Sequence, residues 1–198
     1  KCNGDLLIVH AKDREQAFVE AGFGETRKNL MYNDFVLVGP SHDPANVKAS
    51  LSTNDALRRI ALDRQKFVSR GDDSGTNIKE LNLWTNTNIN PQNFSGDWYL
   101  ETGSGMGTTL NIGVELDAYI FTDRATWISF RNKKNFRILF QGDKNLFNQY
   151  GVISVSPSNC PKTKIKKTTQ IIDWLTSKKG KSAIKNFKVN GQQLFFTH

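Results

Sequence analysis

Phe67-Val68-Ser69-Arg70-Gly71-Asp72-Asp73-Ser74-Gly75-Thr76, running on into Asn77-Ile78-Lys79-Glu80-Leu81-Asn82-Leu83-Trp84, reads as a short strand, a tight polar turn and the opening of a helix. Ile78, Leu81 and Trp84 recur every three residues, so one face of that helix is expected to be apolar. Ser74-Gly75-Thr76 falls where the first backbone N–H groups of a helix lack internal partners. Together with the positive end of the helix dipole, those groups make an anion site. Gly75 admits close approach to the main chain, and the Ser74 and Thr76 hydroxyls add donors. Ser69 and Arg70 stand at the mouth of the turn, and Arg70 brings a fixed charge with a planar donor fork suited to oxyanions. Ser69, Arg70, Ser74, Gly75 and Thr76 are therefore the candidate ligand-binding residues.

Ser, Asp and Gly also gather at such junctions for capping and turn-making alone. By itself the stretch leaves a structural cap and an anion site both open. Asp72 and Asp73 oppose an anion unless one caps the helix and the other holds the Arg70 guanidinium in place.

With 198 residues, 37% of them hydrophobic, the chain buries a core as one domain or two small lobes. No apolar run approaches the roughly 18 to 20 residues that span a bilayer. No export signal precedes the first strand, which says nothing of compartment. The net charge of +8 is concentrated late, in Lys162–Lys167 and Lys178–Lys181. Neither run is interleaved with stacking aromatics, and no zinc finger, RNP motif or KH loop is present, so nucleic acid is not an expected partner. The runs read as solvated helix faces that also steer anions in general. Cys2 and Cys160 belong to no metal-binding spacing, and no metal site is expected. A disulfide needs α-carbons within about 7 Å, so pairing and two free thiols stay open.

Along the chain, Leu6 to His10 reads as a strand and Arg14 to Glu20 as a helix. Phe35 to Val38 is a strand stopped by Gly39-Pro40, and Asn54 to Arg64 an amphipathic helix. Asn86 to Gly96 is a loop, Trp98 to Leu100 a strand, and Met106 to Gly113 a helix after a glycine turn. Strands at Ala118 to Phe121, Arg137 to Phe140 and Val152 to Val155 follow, with a helix over Thr122 to Phe130. Thr168 to Thr176 is a helix expected to turn Ile171, Ile172, Trp174 and Leu175 toward a core. Alternating strands and helices give an α/β fold.

Thr102-Gly103-Ser104-Gly105-Met106-Gly107-Thr108-Thr109 lacks the lysine of a P-loop and misses the spacing of a dinucleotide fingerprint, so it reads as a strand-to-helix turn. Thr122-Asp123-Arg124 opens a helix with an ordinary N-cap, and Arg124 is a further, weaker ligand candidate. Catalysis is not expected. His10, His42 and His198 fall in a strand, a loop and the terminus, and no nucleophile elbow, metalloprotease pair or Cys/His dyad appears. No cofactor is implied.

Ser69 to Thr76 closely resembles the signature of the tungstate-binding components of bacterial ABC importers. Asp5 to His10, Met31 to Pro40, Trp98 to Gly107, Thr122 to Arg124, Leu146 to Ile153 and Gly191 to Phe196 match that family in the same order. The resemblance implies a two-lobed, type II periplasmic-binding-protein-like fold with a two-strand hinge. Residues 1–40 and 157–198 would form the first lobe and 41–156 the second, hinge crossings included. It implies a tungstate or molybdate ligand in the cleft, a membrane permease as partner, and a periplasmic or lipid-anchored extracytoplasmic location. In the family a further Thr/Ser-rich turn precedes the segment matching Asp5 to His10, so this chain is expected to carry only the second-lobe half of the site. A rival class is the effector-binding sensor domain of LysR-type regulators, which shares the architecture.

Overall fold

A computed structural model describes residues 2–197. Its strands are β1 (Leu6–Val9), β2 (Lys28–Pro40), β3 (Phe67–Ser69), β4 (Tyr99–Glu101), β5 (Tyr119–Asp123), β6 (Phe136–Phe140), β7 (Phe147–Ser154), β8 (Lys188–Val189) and β9 (Gln192–Gln193). Its helices are α1 (Lys12–Glu20), α2 (Thr53–Leu62), α3 (Gly75–Thr85), α4 (Met106–Glu115), α5 (Arg124–Ser129), α6 (Ile165–Thr176) and α7 (Lys178–Asn186). Two compact units result, Lys1–Asn33 with Asn148–His198, and Asp34–Phe147.

The unit Asp34–Phe147 is a mixed sheet clad on both faces. The second half of β2 pairs antiparallel with β5 and with β6, while β3 runs parallel to both β4 and β5. Successive residues of a strand point to opposite faces, and β2 shows it plainly. Phe35 and Leu37 join Phe67, Tyr99, Leu57, Ile60, Leu83 and Trp84 in one core, whereas Val36 and Val38 join Val68, Leu110, Val114, Ile120 and Trp127 in another. Thus α2 and α3 cover one face and α4 and α5 the other. Each large side chain fully buried there stabilises the fold by about 1.5 to 3 kcal/mol. Gly113 lets α4 lie against β5, since a Cβ there would clash with the Ile120 side chain.

The other unit has a smaller core. β1 pairs antiparallel with β7 from Leu6↔Ser154 to Val9↔Gly151, and Leu30, Val152 and Ile172 form the buried centre beside Leu6, Met31, Leu175 and Ile184. Cys2 and Cys160 are disulfide-bonded with α-carbons 5.5 Å apart, which settles the pairing that spacing alone leaves open.

Three expectations change here. The units divide at Asn33/Asp34 and Phe147/Asn148, not at 40/41 and 156/157. Gly39-Pro40 ends a strand rather than a unit, because residues 35–40 already pair with β5 and β6. On α6 the buried stripe is Thr168, Ile172 and half-buried Leu175, so Ile171 and Trp174 lie off it, 47% and 52% exposed. Thr122 and Asp123 complete β5, and α5 begins only at Arg124, with Asp123 as its N-cap.

Candidate functional site

Strands β3, β4 and β5 are mutually parallel, and each leads directly into a helix, α3, α4 and α5. Their C-terminal ends therefore share one edge of the sheet, the place where open α/β sheets bind ligands. Along that edge lie the Arg70–Ser74 and Thr102–Gly105 turns.

In the first turn Gly71 and Asp73 take left-handed backbone angles, φ +59° and +55°. A Cβ on Gly71 would lie 2.7 Å from Glu101 Cβ, so glycine is required both for the angle and for the approach to β4. Ser74 caps α3 by accepting from Asn77 N at 3.3 Å. Asp73 N donates to Asn77 Oδ1 at 3.1 Å, so neither aspartate is the cap. Asp72 does hold the arginine: Arg70 Nη2 donates to its Oδ2 at 2.6 Å, and Ser74 N donates to its Oδ1 at 3.3 Å. Burial works to raise the Asp72 pKa but is outweighed by hydrogen bonds from Ser74 and Arg70 and by the Arg70 charge, which hold the carboxyl below its ordinary value. Arg70 Nε is buried and without an acceptor. The Gly75 and Thr76 amides, in the first turn of α3, also find no acceptor among the described residues.

The second turn braces the first. Ser104 N and Thr102 Oγ1 both donate to the Arg70 carbonyl, each at 3.3 Å, and Thr102 N donates to the Ser69 carbonyl at 3.1 Å. Gly105 is the N-cap of α4 and brings no side-chain cap, and a Cβ at Gly105 or Gly107 would meet nothing within 4 Å. This bracing role of Thr102 and Ser104 is absent from the sequence reading.

Beneath the first turn lies a polar cluster that hydrophobic spacing hides. Glu80, 2% exposed, accepts from Ser69 Oγ at 2.6 Å, Tyr99 Oη at 2.8 Å and Trp84 Nε1 at 3.2 Å. Asn77 Nδ2 donates to Ser69 Oγ at 3.2 Å. Burial pushes the Glu80 pKa up to about 7 against the pull of its three donors. Ser69 is thus buried with its proton committed to Glu80, under the turn. The inward face of α3 is Asn77, Glu80, Leu83 and Trp84, while Ile78 is exposed.

Arg124 opens α5 with its fork on Asp34: Nε to Oδ1 at 2.7 Å and Nη2 to Oδ2 at 2.5 Å, with Nη2 also donating to Gln141 Oε1 at 2.8 Å. His42 sits beside Asp117 and His10 against the Tyr150 ring, and His198 lies outside the described residues. Among the described residues no His, Cys, Asp or Glu cluster suits a metal ion, and no helix is long and apolar enough to cross a membrane. Within Asp34–Phe147, thirteen Lys and Arg face thirteen Asp and Glu, so the whole excess of +8 belongs to the other unit. The unit Asp34–Phe147 is therefore neutral overall.

The family model described as "PBP superfamily domain" matches residues 1–179. Within that superfamily the chain belongs to the TupA family. It is 44% identical over 91% of its length to the tungstate-binding protein TupA of Peptoclostridium acidaminophilum, covering 63% of that protein. It is 35% identical over 98% of its length to the Campylobacter jejuni protein of the same name, covering 72%. The solved structure of TupA from Desulfovibrio alaskensis G20 matches with a TM-score of 0.92 and 44% identity, over 98% of this chain and 79% of that one. The chain thus spans a little under two thirds of the Peptoclostridium relative.

Proposed function

We propose that this protein is the solute-binding receptor of an ABC importer, capturing a tetrahedral oxyanion dianion, tungstate or molybdate, at the Arg70–Thr76 turn. One observation carries the reading. The buried, unpartnered Nε of Arg70 stands at the head of α3, where the Gly75 and Thr76 amides also lack acceptors. A dianion offers only lone pairs, and the donors here are the Arg70 fork, those two amides and the Ser74 and Thr76 hydroxyls, while of the turn's two carboxylates Asp72 is paired with Arg70. Asp72 fixes the Arg70 guanidinium, Ser69 lies beneath the turn on Glu80, and Arg124 is held by Asp34. The tungstate-binding names of the relatives support this choice of ligand.

In this reading the two compact units are the two lobes of the receptor. The chain crossings at Asn33–Asp34 and Phe147–Asn148 serve as its hinge, and a membrane permease reads the ligand-bound state. The receptor works outside the inner membrane and has no catalytic step. The LysR-type sensor reading rests on shared architecture and on no residue of the turn.

Titration calorimetry of the protein with tungstate, molybdate, sulfate and phosphate tests the reading. Tungstate or molybdate is expected to bind tightest. Tightest binding of sulfate or phosphate, or no binding of any of the four, overturns it.

A further inference from the structure

Glu80 has no role in holding an oxyanion directly, yet it is the most deeply buried carboxylate beneath the turn. Its three partners, Ser69 Oγ, Tyr99 Oη and Trp84 Nε1, are neutral donors. The groups that act on it are Ser69 from β3, Tyr99 and Glu101 from β4, and Trp84 from its own helix, and no cation is among them. Glu101 adds a second negative charge, with its own oxygens occupied by Gln92 Nε2 and Ser95 Oγ. Ser69, which touches Glu80, is bonded in sequence to Arg70, the guanidinium of the proposed oxyanion site. A buried carboxylate with no counter-ion, one residue removed from a site that gathers a dianion, meets new like charge when the site fills.

We infer that Glu80 takes up a proton from solvent when an oxyanion dianion is captured at the Arg70–Thr76 turn, and is a positioning residue that couples capture to pH. This rests on the oxyanion-receptor reading and deepens it. The proton removes one negative charge from beneath the ligand. It also reverses one hydrogen bond: protonated Glu80 donates to Ser69 Oγ, and the Ser69 hydroxyl proton is released from Glu80. Burial already holds the Glu80 pKa near neutrality, so one further push by a nearby dianion shifts its proton occupancy within the ordinary working range. A group whose pKa rises on binding gives full affinity below its free value. Affinity then falls as pH climbs through that value, by no more than about tenfold per pH unit for one proton.

The test is calorimetric titration with sodium tungstate in buffers of different ionisation enthalpy, from about pH 6.5 to about pH 9, the range that brackets the Glu80 transition. The wild-type protein is expected to take up a substantial fraction of one proton per tungstate and to bind more weakly as pH rises. Glu80→Gln is expected to bind tungstate with no linked proton and with affinity flat in pH. Ser69→Ala removes one donor to the carboxylate, so it is expected to move the uptake window to higher pH, and it gives an independent readout should Glu80→Gln fail to fold. Tungstate binding by the wild type without proton uptake overturns the inference alone. So does uptake that persists in Glu80→Gln or does not move in Ser69→Ala. Absence of tungstate binding by the wild type overturns the receptor reading and this inference with it.

Discussion

Arg124, the first residue of α5, and Asp34, in the middle of β2, lock together, guanidinium to carboxylate, through hydrogen bonds of 2.7 and 2.5 Å. The arginine that sequence offers as a ligand donor is thereby a strut between β2 and the start of α5. Arg124→Ala would leave a nearly buried Asp34 carboxylate without its counter-ion. Both side chains keep some solvent contact, so the expected loss of stability is about 2 kcal/mol, below that of a fully buried pair. Denaturant unfolding measures it. Tungstate affinity of the folded variant should change by less than about threefold, and a loss as large as that of an Arg70 variant would restore Arg124 to the ligand set.

Arg70→Ala removes the one guanidinium at the helix start. A charge-assisted hydrogen bond is worth about 1.5 to 3 kcal/mol, so tungstate affinity should fall by roughly tenfold to over a hundredfold. Arg70→Lys should recover only part of this, because an ammonium cannot reach Asp72 and the ligand with one planar fork. Thr76→Val, which keeps the shape and removes a hydroxyl, should cost about 1 to 2 kcal/mol of binding without unfolding the protein. Unchanged titration curves for all three would place the anion elsewhere.

Glu80 ties the site to stability as well as to binding. Its carboxyl has an ordinary value near 4.5 when unfolded and about 7 when folded, so folding takes up a proton between those limits. A raised carboxyl pKa means stability is highest below the unfolded value and declines as pH rises toward the folded one. Glu80→Gln carries no such slope. Relative to wild type, the variant should gain about 1 to 3 kcal/mol between pH 5 and pH 8, read by urea unfolding at both. A constant difference between the two proteins would show that Glu80 keeps one protonation state throughout.

The disulfide between Cys2 and Cys160 closes a loop across most of the chain, with a sequence separation of 158. Its reduction, or the double change to serine, should cost about 2 to 4 kcal/mol and lower Tm by roughly 5 to 15 °C. Thermal melts with and without reductant decide it, and coincident melts would show that the bridge does not constrain the unfolded chain.

What the sequence makes legible follows physical need. The Ser69–Thr76 turn is readable because a sharp strand-to-helix turn demands small and left-handed residues, and Gly71 and Asp73 take the positive angles. Where the chain hides its intent, polar groups are the cause. Spacing points to Ile78, Leu81 and Trp84 as the inward face of α3; Trp84 is buried there, but Asn77 and Glu80 share that face while Ile78 is exposed, because Ser69, Tyr99 and Trp84 satisfy the two polar side chains. Ile171 and Trp174 stand beside the buried stripe of α6 rather than on it, a rotation that composition does not reveal. The division at Asn33/Asp34 has no turn residue to mark it, since β2 runs straight through. The Cys2–Cys160 bridge depends on a distance between chain ends that no local pattern encodes.

Anomalous diffraction at a tungsten absorption edge, from crystals of the protein grown with tungstate, bears most directly on the central claim. The metal gives a signal that locates the ligand without reference to the protein density. One strong peak is expected at the Arg70–Thr76 turn, with an oxygen within hydrogen-bonding distance of Arg70 Nε and others facing the Gly75 and Thr76 amides. A single strong peak remote from that turn, or none at all in crystals soaked well above the measured Kd, would contradict it.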